Sequence, residues 1–184
     1  QMCIRDREKV VVVGHSMGAL VAMVLATGIF DFDIRAVLGL GPKYEWSTGE
    51  RKKLTAFAKK PIRWIKSQEE AIERYLLVSG LKGLLDPWDK RLASAIIEGS
   101  EGVRLAADPK TVTVGGNLAG LFAAASYSST IRLACGESDN VTDIYGLRKI
   151  DPDAVVLDGL SHNAHVDDPA AVWDLVKNLE AGLT

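Results

Sequence analysis

The sequence predicts an α/β fold, in which a mostly parallel sheet has flanking helices and is interrupted by a helical insertion. Three observations support this prediction. Short β-branched runs alternate with helical segments, a Gly-x-Ser-x-Gly turn joins the first run to the first helix, and the middle of the chain carries helix signals without a strand pattern. With 184 residues, 47% of them hydrophobic, the chain can build one domain with a sizeable core.

The first part of the chain predicts a βαβ unit. Residues 1–7 (QMCIRDR) show no periodicity and resemble translated adaptor sequence, so we expect them to be non-native. Lys9–Val13 is a β-branched run, typical of a strand buried on both faces of a parallel sheet. Met17–Thr27 is rich in Ala, Leu and Met and predicts a helix that Gly28 ends. Ile34–Leu40 predicts the second strand.

The middle of the chain predicts a helical cap. Ser47 and Ser67 each begin an S-x-x-E capping box, in which the Ser oxygen and the Glu carboxylate bind free amides of the first helical turn. Pro87 occupies a favourable first-turn position for a third helix. We therefore expect an entirely helical segment, with helices at about Thr48–Ala58, Gln68–Val78 and Pro87–Gly99.

The alternation of strands and helices returns in the last third. The expected elements are a helix at Leu118–Ser126, a strand at Ile131–Cys135, a helix at Thr142–Lys149, a strand at Ala154–Leu157 and a closing helix at Pro169–Ala181. The resulting division assigns residues 8–42 and 108–184 to the α/β core and residues 43–107 to the cap.

Composition narrows the classes of partner. The formal net charge is -2 and there is no basic stripe, which argues against a nucleic-acid partner. Cys3 and Cys135 lie in no CxxC or Cys/His cluster, so we expect no metal site and a reducing, cytoplasmic setting. The longest apolar stretch, around Ala19–Ala26, is too short to span a bilayer, so no membrane partner is expected.

The strongest chemical signal is Gly14-His15-Ser16-Met17-Gly18. A G-x-S-x-G sequence between a buried strand and a helix predicts a nucleophile elbow, which projects the Ser16 hydroxyl above the sheet. The turn crowds the backbone, so we expect Gly14 and Gly18 to be needed for their small size. The Met17 amide at the helix start would bind an oxyanion. The alternative is an ordinary glycine-rich turn with a solvent-facing serine.

A serine nucleophile needs a base, and the base needs an acid to orient it. The chain order Ser, acid, His expected after such an elbow is met by Asp139, in the loop after the strand IRLAC, and by His162, in the loop after AVVL. Carboxyl ends of parallel strands are where open α/β sheets place their sites. Asp143 remains an alternative acid, although a helix-start role suits it, and His165 remains an alternative base.

Two further residues are candidates for substrate binding. His15 flanks Ser16 and either lines the pocket or has a passive role in the loop. Trp46 lies in the insertion with Trp64 and Trp88, and these side chains either contact substrate or form the aromatic core of the cap. Asp167 precedes the closing helix and has the position of a helix-start residue.

Three segments, VVVVGHSMGALVAM, LACGESDNVTD and LDGLSHNAHVDDPAAVWDLV, resemble the elbow, acid-loop and His-loop segments of the α/β-hydrolase superfamily. The resemblance covers about Val10 to Leu179, with the insertion matching only as a helical cap. It implies a Ser16–His162–Asp139 triad, a small-molecule substrate, no cofactor, and hydrolysis of an ester, thioester, amide or activated carbon–carbon bond.

The sequence departs from the family at two places. Ser161 stands where Gly is frequent, and the family's early strands are absent, including the loop that supplies a second oxyanion donor. We therefore expect the C-terminal part of an α/β-hydrolase fold, inactive in isolation, with self-association through an open strand edge at Val10–Val13. The expected function is that of a serine hydrolase acting through an acyl-enzyme. Rival functions are a non-catalytic ligand-binding protein on the same fold, and a carbon–carbon bond hydrolase or perhydrolase.

Overall fold

The computed structural model describes residues 10–113 and 118–183, which form two compact units. One unit contains the described residues of 1–45 and 117–184, and the other those of 46–116. The expected non-native residues 1–7, with Cys3, lie outside the described residues. In chain order the elements are β1 (Val10–His15), α1 (Met17–Ala26), β2 (Ile34–Leu40), α2 (Thr48–Ala58), α3 (Gln68–Val78), β3 (Ile96–Gly99), β4 (Gly102–Leu105), α4 (Leu118–Ser128), β5 (Thr130–Gly136), α5 (Ile144–Leu147), β6 (Val155–Leu157), α6 (Ala164–Asp167) and α7 (Pro169–Ala181).

The first unit is built on a four-stranded parallel sheet, which confirms the predicted fold class. The strand order is β1-β2-β5-β6, and each neighbouring pair is parallel. His15 pairs with Leu40, Leu40 with Ala134, and Gly136 with Leu157, so the four strands end at the same edge of the sheet. The loops that follow β1, β5 and β6 therefore emerge together.

Helices cover both faces of this sheet because successive strand residues point to opposite sides. Leu38 and Leu40 of β2 pack in one cluster with Val172 and Val176 of α7. Gly39, between them in sequence, faces Ala19 and Met23 of α1, which its missing side chain lets approach. Burying each of the larger aliphatic side chains stabilises the fold by roughly 1.5–3 kcal/mol.

A buried ion pair anchors β5, the strand that leads to the loop carrying Asp139. The Asp151 residue is 6% exposed, and its carboxylate accepts hydrogen bonds from Arg132 Nη1 at 2.8 Å and from the Leu133 amide at 2.7 Å. Asp153 lies 3.4 Å from the same guanidinium, but its side chain is 82% exposed. Asp151 is thus the partner that holds Arg132 and the β5 backbone.

β1 lies at the edge of the described sheet and pairs there with β2 alone. Val13 is 47% exposed on this strand. An edge strand offers unpaired amides and carbonyls to another chain. Self-association through this edge stays a prediction.

The second unit differs from the expected all-helical segment. α2 and α3 have their predicted bounds, and Ser47 and Ser67 accept the amides of Glu50 and Glu70 as capping residues. The predicted third helix is wrong: after a 3-10 turn at Lys90–Ala95, β3 and β4 form an antiparallel hairpin.

Side-chain packing explains the hairpin. Ile96 and Val103 are buried against Ile65 and Ala71. The backbone of Ile65 exchanges hydrogen bonds of 2.7 and 2.8 Å with Val103. Gly102 has φ +125°, a conformation that favours glycine and turns the chain between the strands. β-branched residues that bury one face are better placed in strands than in a short helix.

None of the described helices combines the length and apolarity needed to cross a membrane.

Candidate active site

The elbow that carries Ser16 is strained. Ser16 has φ 52° and ψ -117°, and among the described residues it is the single non-glycine residue with positive φ. Its amide donates to the Leu40 carbonyl at 2.8 Å, which ties the turn to β2. A non-glycine residue persists in such a conformation when the surrounding structure enforces it, and such strain concentrates at functional sites.

The two glycines of the elbow have different roles. A Cβ on Gly14 would lie 2.5 Å from the Gly18 carbonyl oxygen and 2.6 Å from Ala19 Cα, so only glycine fits there. A Cβ on Gly18 would meet no atom within 4 Å. The expectation that Gly18 is needed because the backbone is crowded is therefore wrong.

Asp139 is a buried carboxylate with its hydrogen bonds filled. Its side chain is 0% exposed, and Oδ1 accepts the amides of Val141 at 2.8 Å and Thr142 at 3.0 Å. Oδ2 lies 2.9 Å from His162 Nδ1. Burial alone would raise the pKa of Asp139, but the hydrogen bonds from His162, Val141 and Thr142 outweigh it and hold that pKa below its ordinary value.

His162 is held in a loop fastened by two carboxylates. Glu137 Oε2 accepts the Gly159 amide at 2.8 Å. Asp167 Oδ2 accepts both the amide and the hydroxyl of Ser161, at 2.7 and 2.6 Å. Asp167, expected only as a helix-start residue, thus fastens the His loop, and Ser161 in place of Gly supplies one of these bonds. The helix start itself is capped by Asp168.

The alternative acid and base occupy other positions. The carboxylate of Asp143 accepts the amides of Tyr145 and Gly146 as the N-cap of α5. His165 lies on α6, and its ring contacts that of His15 at 4.4 Å between centroids. Of the two candidate acids, Asp139 is the one bonded to His162.

Met17, the oxyanion candidate, and Trp46, one of the two substrate candidates, lie in different units. Met17 is the first residue of α1, where an amide has no partner within the helix. Trp46 belongs to the second unit, and its carbonyl accepts Arg51 Nε at 3.3 Å. In the same unit Trp64 lies against Gly99, whereas Trp88 is 81% exposed and so does not belong to a core.

His15 lies between the two other histidines. Its Nε2 is 2.9 Å from the His162 carbonyl oxygen, and its ring centroid is 4.8 Å from that of His162. Burial lowers the pKa of His15, and repulsion from a charged His165 lowers it further, to about 4. Its role as a substrate contact stays a prediction.

Gly41 also belongs to the site, although it was not among the predicted site residues. This residue follows β2 with φ +57°, and a Cβ there would lie 3.0 Å from both Asp139 Oδ2 and His162 Nδ1. Its carbonyl accepts the Thr142 hydroxyl at 2.8 Å. The available signal was a Gly-Pro pair at the carboxyl end of a buried strand, where such sheets place their sites.

Two further observations bear on the chemistry of the site. Among the described residues, no group of three or more His, Cys, Asp or Glu side chains is arranged to hold a metal ion. No hydrogen bond between Ser16 Oγ and His162 occurs in the described part of the chain. Catalytic hydrogen bonds of free enzymes are often long and tighten when substrate binds.

Comparisons with known proteins agree with this architecture. The sequence matches the model of the Alpha/beta hydrolase family over residues 2–175. No curated protein matches the chain. Among solved structures, the chain is similar to an esterase of M. tuberculosis, with a TM-score of 0.71, 18% identity, and coverage of 93% of this chain and 62% of that one.

Two more solved structures are similar at the level of the fold. The E-2-(acetamidomethylene)succinate hydrolase has a TM-score of 0.67 and 20% identity, covering 94% of this chain and 66% of that one. The thioesterase domain from the curacin biosynthetic pathway has a TM-score of 0.66 and 18% identity, covering 91% and 66%. This chain thus spans slightly less than two thirds of their lengths. The match to the family model over most of its residues, together with the parallel sheet and the strained turn at Ser16 described above, shows that the chain belongs to the α/β-hydrolase family.

Proposed function

We propose that the protein is a serine hydrolase that cleaves an ester or related acyl bond of a small molecule through an acyl-enzyme. The observation that carries the proposal is the strained conformation of Ser16. This residue lies at the edge of the sheet where the strands end, and the hydrogen-bonded pair Asp139–His162 lies in loops that emerge from the same edge. A strained serine at this position is what nucleophilic attack above a sheet requires.

The steps follow from which groups of the site donate protons and which accept them. Ser16 Oγ attacks the carbonyl carbon while His162 Nε2 accepts its proton. Asp139 holds the Nδ1–H tautomer of His162 and stabilises the imidazolium that forms. The tetrahedral oxyanion binds the Met17 amide at the start of α1. His162 then protonates the leaving group, and water, activated by the same base, hydrolyses the acyl-enzyme and releases the acid.

Electrostatics support the role given to Asp139. Its lowered pKa keeps the carboxylate charged throughout the range in which a histidine base works. Its burial strengthens the interaction with a developing imidazolium, because the attraction between charges is greater away from water. The carboxylate oxygens of Asp143 instead accept hydrogen bonds from two amides of α5, which is a capping role.

The test compares three variants of the natural full-length protein. Ser16→Ala should lower ester turnover by about 10^4 to 10^6-fold, because a nucleophile is lost. Asp139→Asn should lower it by about 10^4-fold, because the amide holds the wrong imidazole tautomer. Asp143→Asn is the matched control and should keep most of the turnover.

Three outcomes contradict the proposal. Wild-type turnover in Ser16→Ala would remove the nucleophile from the mechanism. A larger loss of turnover in Asp143→Asn than in Asp139→Asn would show that Asp139 is not the acid. Absence of turnover in the wild-type protein across ester, thioester and amide substrates would favour a ligand-binding role instead.

A further inference from the structure

The three histidines of the chain meet at one place. The ring of His15 lies 4.8 Å from that of His162 and 4.4 Å from that of His165, between centroids. His15 is the last residue of β1 and directly precedes Ser16, whereas His162 and His165 follow β6. The His15 ring therefore connects the nucleophile turn to the loop that carries the base.

The connection is a hydrogen bond with a defined direction. His15 Nε2 lies 2.9 Å from the His162 carbonyl oxygen. A carbonyl oxygen only accepts, so Nε2 must carry the proton and Nδ1 must be the bare nitrogen in the neutral ring. The bond thus fixes both the tautomer of His15 and the position of the His162 peptide.

We propose that His15 is a positioning residue for the base: its Nε2–H holds the His162 carbonyl so that the His162 ring stays between Asp139 and Ser16. The inference rests on the proposed function. It gives His15 a task other than substrate contact, since its donor nitrogen is already engaged. Glu137 and Asp167 fasten the same loop at Gly159 and Ser161.

The charge of the ring suits this role. The groups facing His15 are His162 and His165 from the segment after β6 and Asp139 from the loop after β5. Burial and these histidines keep His15 neutral near neutral pH, and burial also lowers the pKa of His165. The imidazolium formed on His162 during the reaction then has no second positive ring beside it, which would oppose its formation.

Three variants of the natural full-length protein test the proposal. In His15→Gln the side-chain amide nitrogen can occupy the position of the lost Nε2. In His15→Asn the shorter side chain brings its amide nitrogen only to the position of Nδ1. His15→Phe keeps a ring beside His165 without a donor. We expect Asn and Phe to lower kcat for a p-nitrophenyl ester by about 10- to 100-fold with little change in KM, because the base is displaced. Gln should restore kcat to within about threefold of wild type.

Several results would overturn the proposal. These are wild-type kcat in the Asn and Phe variants, a raised KM with unchanged kcat, which indicates substrate contact, and a Gln variant as impaired as Phe. Ser16→Ala, measured alongside, separates the two claims. If it retains turnover, the proposed function fails, whereas an inactive Ser16→Ala with fully active His15 variants defeats only the positioning role.

A measurement on the wild-type protein covers variants that do not fold. The 15N chemical shifts of the His15 ring should show a neutral Nε2–H tautomer at pH 7. A neutral Nδ1–H tautomer, or a charged ring at that pH, would rule out the hydrogen bond to the His162 carbonyl and with it the proposal.

Discussion

Replacing Gly41 by alanine should perturb the hydrogen-bonded pair Asp139–His162 directly. Gly41 has φ +57°, and a left-handed conformation costs an alanine roughly 1–2 kcal/mol relative to glycine. The new Cβ would also lie 3.0 Å from Asp139 Oδ2 and His162 Nδ1, closer than ordinary van der Waals contact. Either the turn or the 2.9 Å bond between those atoms must shift by a few tenths of an ångström.

The two effects add up to a measurable loss. We expect the free energy of unfolding to fall by about 1–3 kcal/mol in Gly41→Ala, from the backbone cost and the close contact together. Under the proposed mechanism, turnover should fall by about 10- to 100-fold, because a displaced His162 would no longer align with Ser16. Urea denaturation measures the first quantity and ester hydrolysis the second.

Gly28→Ala is the matched control. Gly28 has φ +79°, a similar backbone conformation, but a Cβ there meets no atom within 4 Å. It should therefore lose a comparable backbone contribution of roughly 1–2 kcal/mol and keep its turnover. Unchanged turnover in Gly41→Ala, or an equal loss of turnover in Gly28→Ala, would show that the close contact at Gly41 does not disturb the site.

The remaining predictions concern stability and substrate choice. Asp151→Ala should lower the unfolding free energy by about 2–4 kcal/mol, since it leaves Arg132 without its buried partner, while Asp153→Ala should change it by less than about 1 kcal/mol; equal effects in urea denaturation would contradict the assignment. In the unfolded chain His15 takes up a proton below its ordinary pKa of 6.5, whereas in the folded protein it does so only near 4. The unfolding free energy should therefore decrease as the pH falls from 6.5 to 4, by about 1–3 kcal/mol after allowance for partial exposure. His15→Gln should flatten this pH dependence. Exchanging residues 43–107 for the cap of another family member should alter preference across a chain-length series of esters without abolishing turnover, and an unchanged preference would show that the segment does not select substrate.

Local signals with a fixed geometry were readable from the sequence. The run Val10–Val13, the glycine at position 14 and the Ala-rich segment after Ser16 specify a strand, a tight turn and a helix that can occur in only a few arrangements. The S-x-x-E signals at Ser47 and Ser67 gave the bounds of α2 and α3, because each serine caps its helix through a bond to a neighbour in sequence; the full capping box forms at Ser47.

Features that depend on distant contacts were not readable. The hairpin of β3 and β4 forms because Ile96 and Val103 bury themselves against Ile65, which is 31 positions before Ile96. The importance of Gly41 to the site depends on Asp139 and His162, which lie against it. The contact of His15 with the His162 carbonyl joins residues 147 positions apart, which no local pattern indicates.

The central claim is that Ser16 is the nucleophile, and covalent trapping tests it most directly. The natural full-length protein is treated with a fluorophosphonate probe, digested, and analysed by mass spectrometry, with Ser16→Ala and Asp143→Asn treated in parallel. We expect one adduct, on Ser16, in the wild type and in Asp143→Asn, and none in Ser16→Ala. An adduct on another serine, such as Ser161, or undiminished labelling of Ser16→Ala, would contradict it.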